Sequence, residues 1–238
     1  MAPADDIDLK LSPYFRYKWY VDVFVTIITL PIIGSMILIF MLLVKLTSKG
    51  PVIYSQVRTT KDGKTFKMYK IRSMVVDAES KTGAVWAGAG EKDPRITPVG
   101  RFMRRIHIDE LTQIYNVWRG EMYVIGPRPE RPEFVEKLKN EVPGYAKRIE
   151  VLPGMTGFAQ LNLAADTDLD DVRRKLVLDY EYMEKASLWF DLKIYLGTAF
   201  QFFKSRYFDR LPLRMSGILR NPEDSPWAEK LGLKKTEK

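Results

Sequence analysis

Cysteine is absent from these 238 residues, and histidine occurs once, at His107. The first absence excludes disulfides and thiolate metal sites, and gives no sign of an oxidising compartment. The second removes serine–histidine nucleophile pairs and zinc sites built on imidazole. A lone histidine in a helical stretch reads as structural. No internal repeat is present, and neither a helix-turn-helix nor an aromatic platform accompanies the basic residues, so no nucleic-acid partner is expected. What remains for chemistry is carboxylates, arginines and lysines, the groups that handle phosphates together with a hard cation such as Mg²⁺. The net charge of +8 favours an anionic partner, a lipid surface or a phosphorylated substrate.

The apolar residues are unevenly spread. Val21 to Leu46 is almost wholly apolar, 26 residues against the ~20 that a spanning helix needs. It lacks a small-residue cleavage site and is not expected to be removed. Pro31 and Gly34 interrupt it, and proline bends a helix by removing a backbone donor. Arg16 and Lys18 lie before the run, Lys45, Lys49 and Arg58 after it. Cations at both ends are satisfied when both ends face the cytoplasm, which requires a helix that enters, breaks near Pro31 and returns. A bent span and a buried helix of a soluble domain are the competing readings. Tyr14, Phe15, Tyr17, Trp19 and Tyr20 mix aromatics with Arg16 and Lys18, a composition suited to the headgroup layer.

The expected class is α+β, mainly helical. A polar arm (1–16) precedes the membrane helix (17–48), then a catalytic domain (49–210) and a C-terminal tail (211–238), with the last 20 or so residues expected to lack order. Pro51 to Arg58 reads as a strand, Asp62-Gly63 as a hairpin turn and Thr65 to Ile71 as the return strand. Glycine and proline make 77–98 a loop. Phe102, Ile106, Leu111, Ile114 and Val117 recur at helical spacing, which predicts a helix from Val99 to Trp118. Short helices are expected at 131–140 and 143–150, and longer ones at Asp170 to Lys185 and Leu188 to Tyr207. The aromatic face of the last fits either the core or a membrane surface.

Three constellations stand out. In Arg104-Arg105-Ile106-His107-Ile108-Asp109-Glu110, two adjacent carboxylates follow arginines. On a helix Arg105 would sit one turn before Asp109 and hold it ionised. A carboxylate can attack phosphorus to give an acyl-phosphate; a solvated, salt-bridged face has the same pattern. Gly126-Pro127-Arg128-Pro129 fixes its backbone and presents Arg128 to a phosphate, or is a turn with an incidental arginine. Lys70 and Arg72 end the second strand with two cations on one face, as alternation on an exposed strand also would.

Taken in order, the segments resemble a known family. They are Asp22 opening the apolar run, Gly50 to Arg58, Phe66 to Met74, Asp93 to Gly100, Ile108 to Gln113, Gly126 to Pro129 and Pro153 to Gly157. Together they resemble the bacterial sugar transferases, the polyprenyl-phosphate phosphoglycosyltransferases of the small monotopic kind. The resemblance implies an enzyme on the cytoplasmic face of the bacterial inner membrane, with a re-entrant helix and interfacial amphipathic helices. It implies that Asp109 and Glu110 are the catalytic dyad, working with Mg²⁺. Asp109 would attack a UDP-sugar with release of UMP, and polyprenyl phosphate would then take the phosphosugar, in a ping-pong sequence. Glu110 would be a metal ligand or general base. Lys70, Arg72, Arg104 and Arg128 are the expected phosphate-binding cations. The family's Ser-Pro helix break is Leu30-Pro31 here, and Thr29 is the candidate to satisfy the freed carbonyl. A catalytically inactive membrane scaffold of the same fold is the competing reading; the intact dyad with Arg104 and Arg128 counts against it.

Overall fold

A computed structural model describes residues 7–78, 93–163, 168–203 and 221–233. The chain is mainly helical, with two small two-stranded sheets among the described residues. Helix α1 (Lys18–Thr47) is followed by strands β1 (Ile53–Thr59) and β2 (Thr65–Ile71). These pair antiparallel, with Ile53 opposite Ile71 and Thr59 opposite Thr65. The turn falls where expected: Asp62 (φ 59°) and Gly63 (φ 76°) take the left-handed conformation that aspartate and glycine tolerate best. Most of the expected loop lies outside the described residues.

The expected helix from Val99 to Trp118 is broken. Helix α2 (Pro98–Arg105) stops at Ile106, a 3₁₀ turn covers Ile108–Gln113, and α3 (Ile114–Trp118) follows. His107 at φ 52° makes the break, because a left-handed residue cannot propagate an α-helix. The dyad therefore sits on a 3₁₀ turn, and the one-turn relation between Arg105 and Asp109 does not apply. α2 begins on Pro98, with the Thr97 hydroxyl accepting the N–H of Gly100 at 2.9 Å. Gly100 presses on the Ser73 backbone: a Cβ there would lie 1.9 Å from the Ser73 carbonyl oxygen.

Strand β3 (Tyr123–Ile125) pairs in parallel with β4 (Gly154–Thr156). Between them lies α4 (Pro132–Glu141); α5 (Phe158–Asn162), α6 (Leu169–Lys185), α7 (Leu188–Phe203) and α8 (Trp227–Lys230) follow. α6 is the central helix: Leu176, Val177, Leu178, Tyr180 and Met183 are fully buried. Ile7 and Leu9 of the supposed polar arm pack into the main core, as do Trp227, Ala228, Leu231 and Leu233 of the supposed unordered tail. The Trp227 ring meets Tyr180 edge-on at 5.2 Å, and its indole N–H donates to Glu184 at 3.2 Å. Short apolar pairs within polar stretches carry too little periodicity to be read as core.

α1 runs through Pro31 without interruption, as one 30-residue helix rather than two. The Thr29 hydroxyl donates to the Val25 and Thr26 carbonyls, not to the Ile27 carbonyl that Pro31 leaves without a helical donor. α1 is long and apolar enough to cross a membrane, and only Lys18, Asp22, Thr26 and Val44 of it are buried. Both its ends rest on the same body. Near its start, the Trp19 indole donates to the Val117 carbonyl at 2.7 Å, and the Trp118 indole to Thr26 at 3.0 Å. Near its end, Phe40 stacks on Phe102, and Val44 joins Ile71, Met103 and Ile108 in a buried cluster. Between these anchors Ile27, Ile28 and Ile32 are exposed. On α7, Leu188, Trp189, Leu192 and Leu196 are exposed too, while Asp191 and Ile194 face inward.

Candidate active site

Asp109 and Glu110 are placed by what surrounds their turn. Ile108 beneath them is anchored against Val44 of α1 and Met103 of α2. On the other side, the turn runs along the free edge of β2. The Thr112 hydroxyl donates to the Tyr69 carbonyl at 3.0 Å. The Asn116 side chain accepts the Tyr69 N–H at 3.2 Å and donates to the Lys67 carbonyl at 2.8 Å. Two side chains thus satisfy a strand edge that would otherwise be unpaired, and in doing so fix Lys70 of β2 beside Glu110.

Glu110 is the hub. Its Oε1 accepts from Lys70 Nζ at 2.7 Å and from Arg128 Nη2 at 2.9 Å. Burial works against ionising Glu110, but the Arg128 and Lys70 charges outweigh it and hold the carboxyl well below the usual carboxylate range. Lys70 is pushed down by burial, with Glu110 opposing; Arg128 is raised by the Glu110 charge. Asp109 differs. It is buried, 5% exposed, yet makes no hydrogen bond or ion pair among the described residues. Burial and the neighbouring Glu110 charge raise its pKa, and Lys70 and Arg104 offset this only in part. Two adjacent carboxylates are thereby driven apart, one firmly ionised and the other unpaired and more basic.

Arg128 leaves a seat made of backbone. The Gly126 N–H donates to the Thr156 carbonyl at 2.9 Å and the Gly154 N–H to the Pro127 carbonyl at 2.8 Å. A Cβ on Gly154 would lie 2.1 Å from the Gly126 nitrogen, so the Pro-Gly-Met-Thr-Gly segment serves the Gly-Pro-Arg-Pro turn by close approach. Beyond Arg128, the Pro129 carbonyl accepts from Arg58 at 3.1 Å, and Glu130 pairs with Lys175 at 3.4 Å. Arg104 is the remaining cation near the dyad. It acts on Asp109 through its charge, and its side chain makes no hydrogen bond or ion pair among the described residues. Arg72 is placed elsewhere: buried, it donates to the Ser48 hydroxyl at 2.7 Å and carbonyl at 3.2 Å, closing the end of α1. It is thus tied to the end of α1 and makes no contact with Glu110.

A second polar cluster, not foreseen from the sequence, lies under the start of α1. Lys18 is fully buried between Asp22 (3.2 Å) and Asp191 (2.5 Å). The Asp191 carboxylate also accepts the Tyr14 hydroxyl at 3.0 Å and the Tyr182 hydroxyl at 2.7 Å. Asp22 accepts from Tyr195 at 3.3 Å and from the Val124 N–H at 3.0 Å. The available signal was two charges inside apolar helices four residues apart, at Lys18 and Asp22.

For a metal, Asp109 and Glu110 offer hard oxygen donors. No group of three histidine, cysteine or acidic residues occurs among the described residues. Two carboxylates suit Mg²⁺, which keeps several waters and binds substrate phosphates rather than a full protein cage.

Residues 14–205 match the family described as bacterial sugar transferase. A protein of Bacillus subtilis (strain 168), provisionally named undecaprenyl-phosphate N-acetylgalactosaminyl 1-phosphate transferase, is 50% identical over 140 residues, 59% of this chain and 76% of its own. The UDP-N-acetylgalactosamine-undecaprenyl-phosphate N-acetylgalactosaminephosphotransferase of Aeromonas hydrophila is 39% identical over 79% of this chain and 44% of its own. The UDP-glucose:undecaprenyl-phosphate glucose-1-phosphate transferase of Escherichia coli (strain K12) is 40% identical over 78% of this chain and 40% of its own. The chain thus spans less than half the length of the Aeromonas and Escherichia relatives. The chain belongs to the bacterial sugar transferase family. Its class is that of the polyprenyl-phosphate sugar-1-phosphate transferases.

Proposed function

We propose that the chain moves a sugar-1-phosphate from a UDP-sugar to polyprenyl phosphate, releasing UMP, through a covalent intermediate on Asp109. The observation that carries this reading is the split dyad, Asp109 unpaired beside a Glu110 held ionised by Lys70 and Arg128. An Asp109 carboxylate oxygen attacks the β-phosphorus of the donor. The bond from that phosphorus to the bridging oxygen breaks, and UMP leaves with the electron pair. A phosphate oxygen of the polyprenyl acceptor then attacks the same phosphorus and breaks the acyl-phosphate bond. Asp109 returns as a carboxylate, and the lipid carries a diphosphate-linked sugar.

The residues divide the work by charge. A carboxylate as acidic as Glu110 is a poor proton carrier at neutral pH, which favours the metal-ligand role over general base. Asp109 and Glu110 would hold Mg²⁺, which when bound neutralises charge on the diphosphate. Arg104 and Arg128 stabilise negative charge on the transferring phosphoryl group and the departing UMP.

Helix α1 supplies the membrane. Thr26 and Val44 lie about 27 Å apart along a straight helix, yet both touch the catalytic domain. A helix standing across a bilayer would leave one of these anchors on the far side. The paired anchors favour a helix that dips into one leaflet by its exposed middle and stays on one face, with the exposed apolar residues of α7 at the interface. That face is the cytoplasmic one, where the nucleotide-sugar is found. The direct test is UMP release over a panel of UDP-sugars with undecaprenyl phosphate and Mg²⁺. Release with at least one sugar, abolished in Asp109→Asn, is expected; no release with any donor would overturn the reading.

A further inference from the structure

Lys70 and Arg128 share one acceptor atom, Glu110 Oε1, at 2.7 and 2.9 Å. A carboxylate oxygen that receives an ammonium and a guanidinium together is a poor donor to a divalent cation, because the cation must enter against two positive charges at close range. Across the site, Lys70, Arg104 and Arg128 act through their charges on Asp109 and Glu110, with Arg58, His107 and Glu130 also within electrostatic reach. No group of three histidine, cysteine or acidic residues able to hold a metal occurs among the described residues. The Arg104 side chain, by contrast, makes no hydrogen bond or ion pair among the described residues and acts on Asp109 and Asp93 through its charge alone.

From this arrangement, and resting on the donor assigned above, we infer that Glu110 is an internal counter-anion in the free enzyme. It is handed to the metal only when the donor's diphosphate takes over Lys70 and Arg128. Arg104 meets the diphosphate first. Arg128 and Lys70 then exchange one oxyanion for another, so neither loses a charged partner, and Glu110 turns to the divalent cation that accompanies the diphosphate. The metal thus enters with the nucleotide rather than ahead of it. The exchange also keeps the buried cations compensated at every stage, which matters because an unpaired charge in this setting is costly. Water has no comparable claim on the cations, so before the donor arrives Asp109 is left without an activating metal.

The test uses Mn²⁺ as a paramagnetic stand-in, titrated into the full chain in detergent micelles. Free Mn²⁺ is read by electron paramagnetic resonance, and bound Mn²⁺ by water-proton relaxation. UDP serves as a diphosphate probe that carries no sugar to transfer, and Mn²⁺–UDP without protein is the blank. Wild-type protein alone is expected to bind Mn²⁺ at least tenfold more weakly than with UDP present. Lys70→Ala and Arg128→Ala, which each remove one of the two cations on Glu110, should bind Mn²⁺ without nucleotide at least tenfold more tightly than wild type. The UDP-dependent relaxation gain should vanish in Glu110→Gln. Equal Mn²⁺ affinity of the wild-type protein with and without UDP would overturn the inference, and that comparison needs no variant to fold. UMP release measured on the same preparation separates the two failures. Release combined with nucleotide-independent Mn²⁺ binding rejects only the exchange; absence of release with every donor rejects the assigned reaction.

Discussion

The carboxylate of Asp22, at the foot of the apolar helix, accepts the backbone N–H of Val124 at 3.0 Å. Val124 lies in the strand from which the Gly-Pro-Arg-Pro turn emerges, four residues before Arg128. The same carboxylate holds Lys18, and Lys18 holds Asp191 of α7. One buried charge cluster therefore ties α1, α7 and the strand that leads into the Arg128 turn.

Removing one member should be costly, because its partners stay buried without compensation. Asp22→Ala is expected to destabilise the protein by about 3–5 kcal/mol. Asp22→Asn, which keeps an acceptor for Val124, should cost less. Thermal unfolding in detergent would rank them, and an Asp22→Ala protein as stable as wild type would show the cluster to be incidental.

The dyad predicts a pH profile. In the proposed reaction Asp109 attacks as a carboxylate, and its pKa is raised by burial and by Glu110. Adduct formation should therefore fail, as pH drops, at a higher pH than an ordinary aspartate would give. Arg104 lowers the Asp109 pKa, so Arg104→Ala should move this acid limb to still higher pH. Single-turnover adduct formation against pH reads both; a limb that Arg104→Ala moves downward would contradict the assigned electrostatics.

Gly154→Ala probes the seat of Arg128 without touching a charge. The added methyl would meet the Gly126 nitrogen at 2.1 Å, forcing the two strands apart. Donor use should fall by two orders of magnitude or more, about 2.7 kcal/mol in transition-state stabilisation. Gly232→Ala is the control, since no atom lies within 4 Å of the added group; its positive φ of 69° makes a modest stability loss expected, with kcat/KM unchanged.

Topology can be read directly because the chain has no cysteine. Single cysteines at Lys10 and Lys49, both exposed and flanking α1, should each be labelled by an impermeant maleimide only from the cytoplasmic side. Labelling of Lys10→Cys from outside would show that α1 spans.

Much of this was legible in the sequence, for identifiable reasons. The hairpin carried alternation and an Asp-Gly turn, and α6 and α7 carried helical periodicity. The dyad, Arg104, Lys70 and Arg128 stood in recognisable segments. The break at His107 was not legible, because the apolar spacing on either side remains nearly helical while one residue's φ decides the outcome. Arg72 and Lys70 read alike, two residues apart, and only the position of Ser48 at the end of α1 distinguishes them. Thr112 and Asn116 were missed because a polar side chain that covers a strand edge has no sequence period of its own. Asp191 was missed because its partner, Lys18, is 173 residues away.

The central claim is that Asp109 carries the phosphosugar. Intact-protein mass spectrometry, after incubation with a turned-over UDP-sugar and Mg²⁺ but no lipid acceptor, tests it most directly. The account predicts a mass gain of one phosphosugar, mapped to Asp109, absent in Asp109→Asn and discharged by polyprenyl phosphate. No adduct from a sugar that turns over, or turnover by Asp109→Asn, would contradict it and point to direct transfer in a ternary complex.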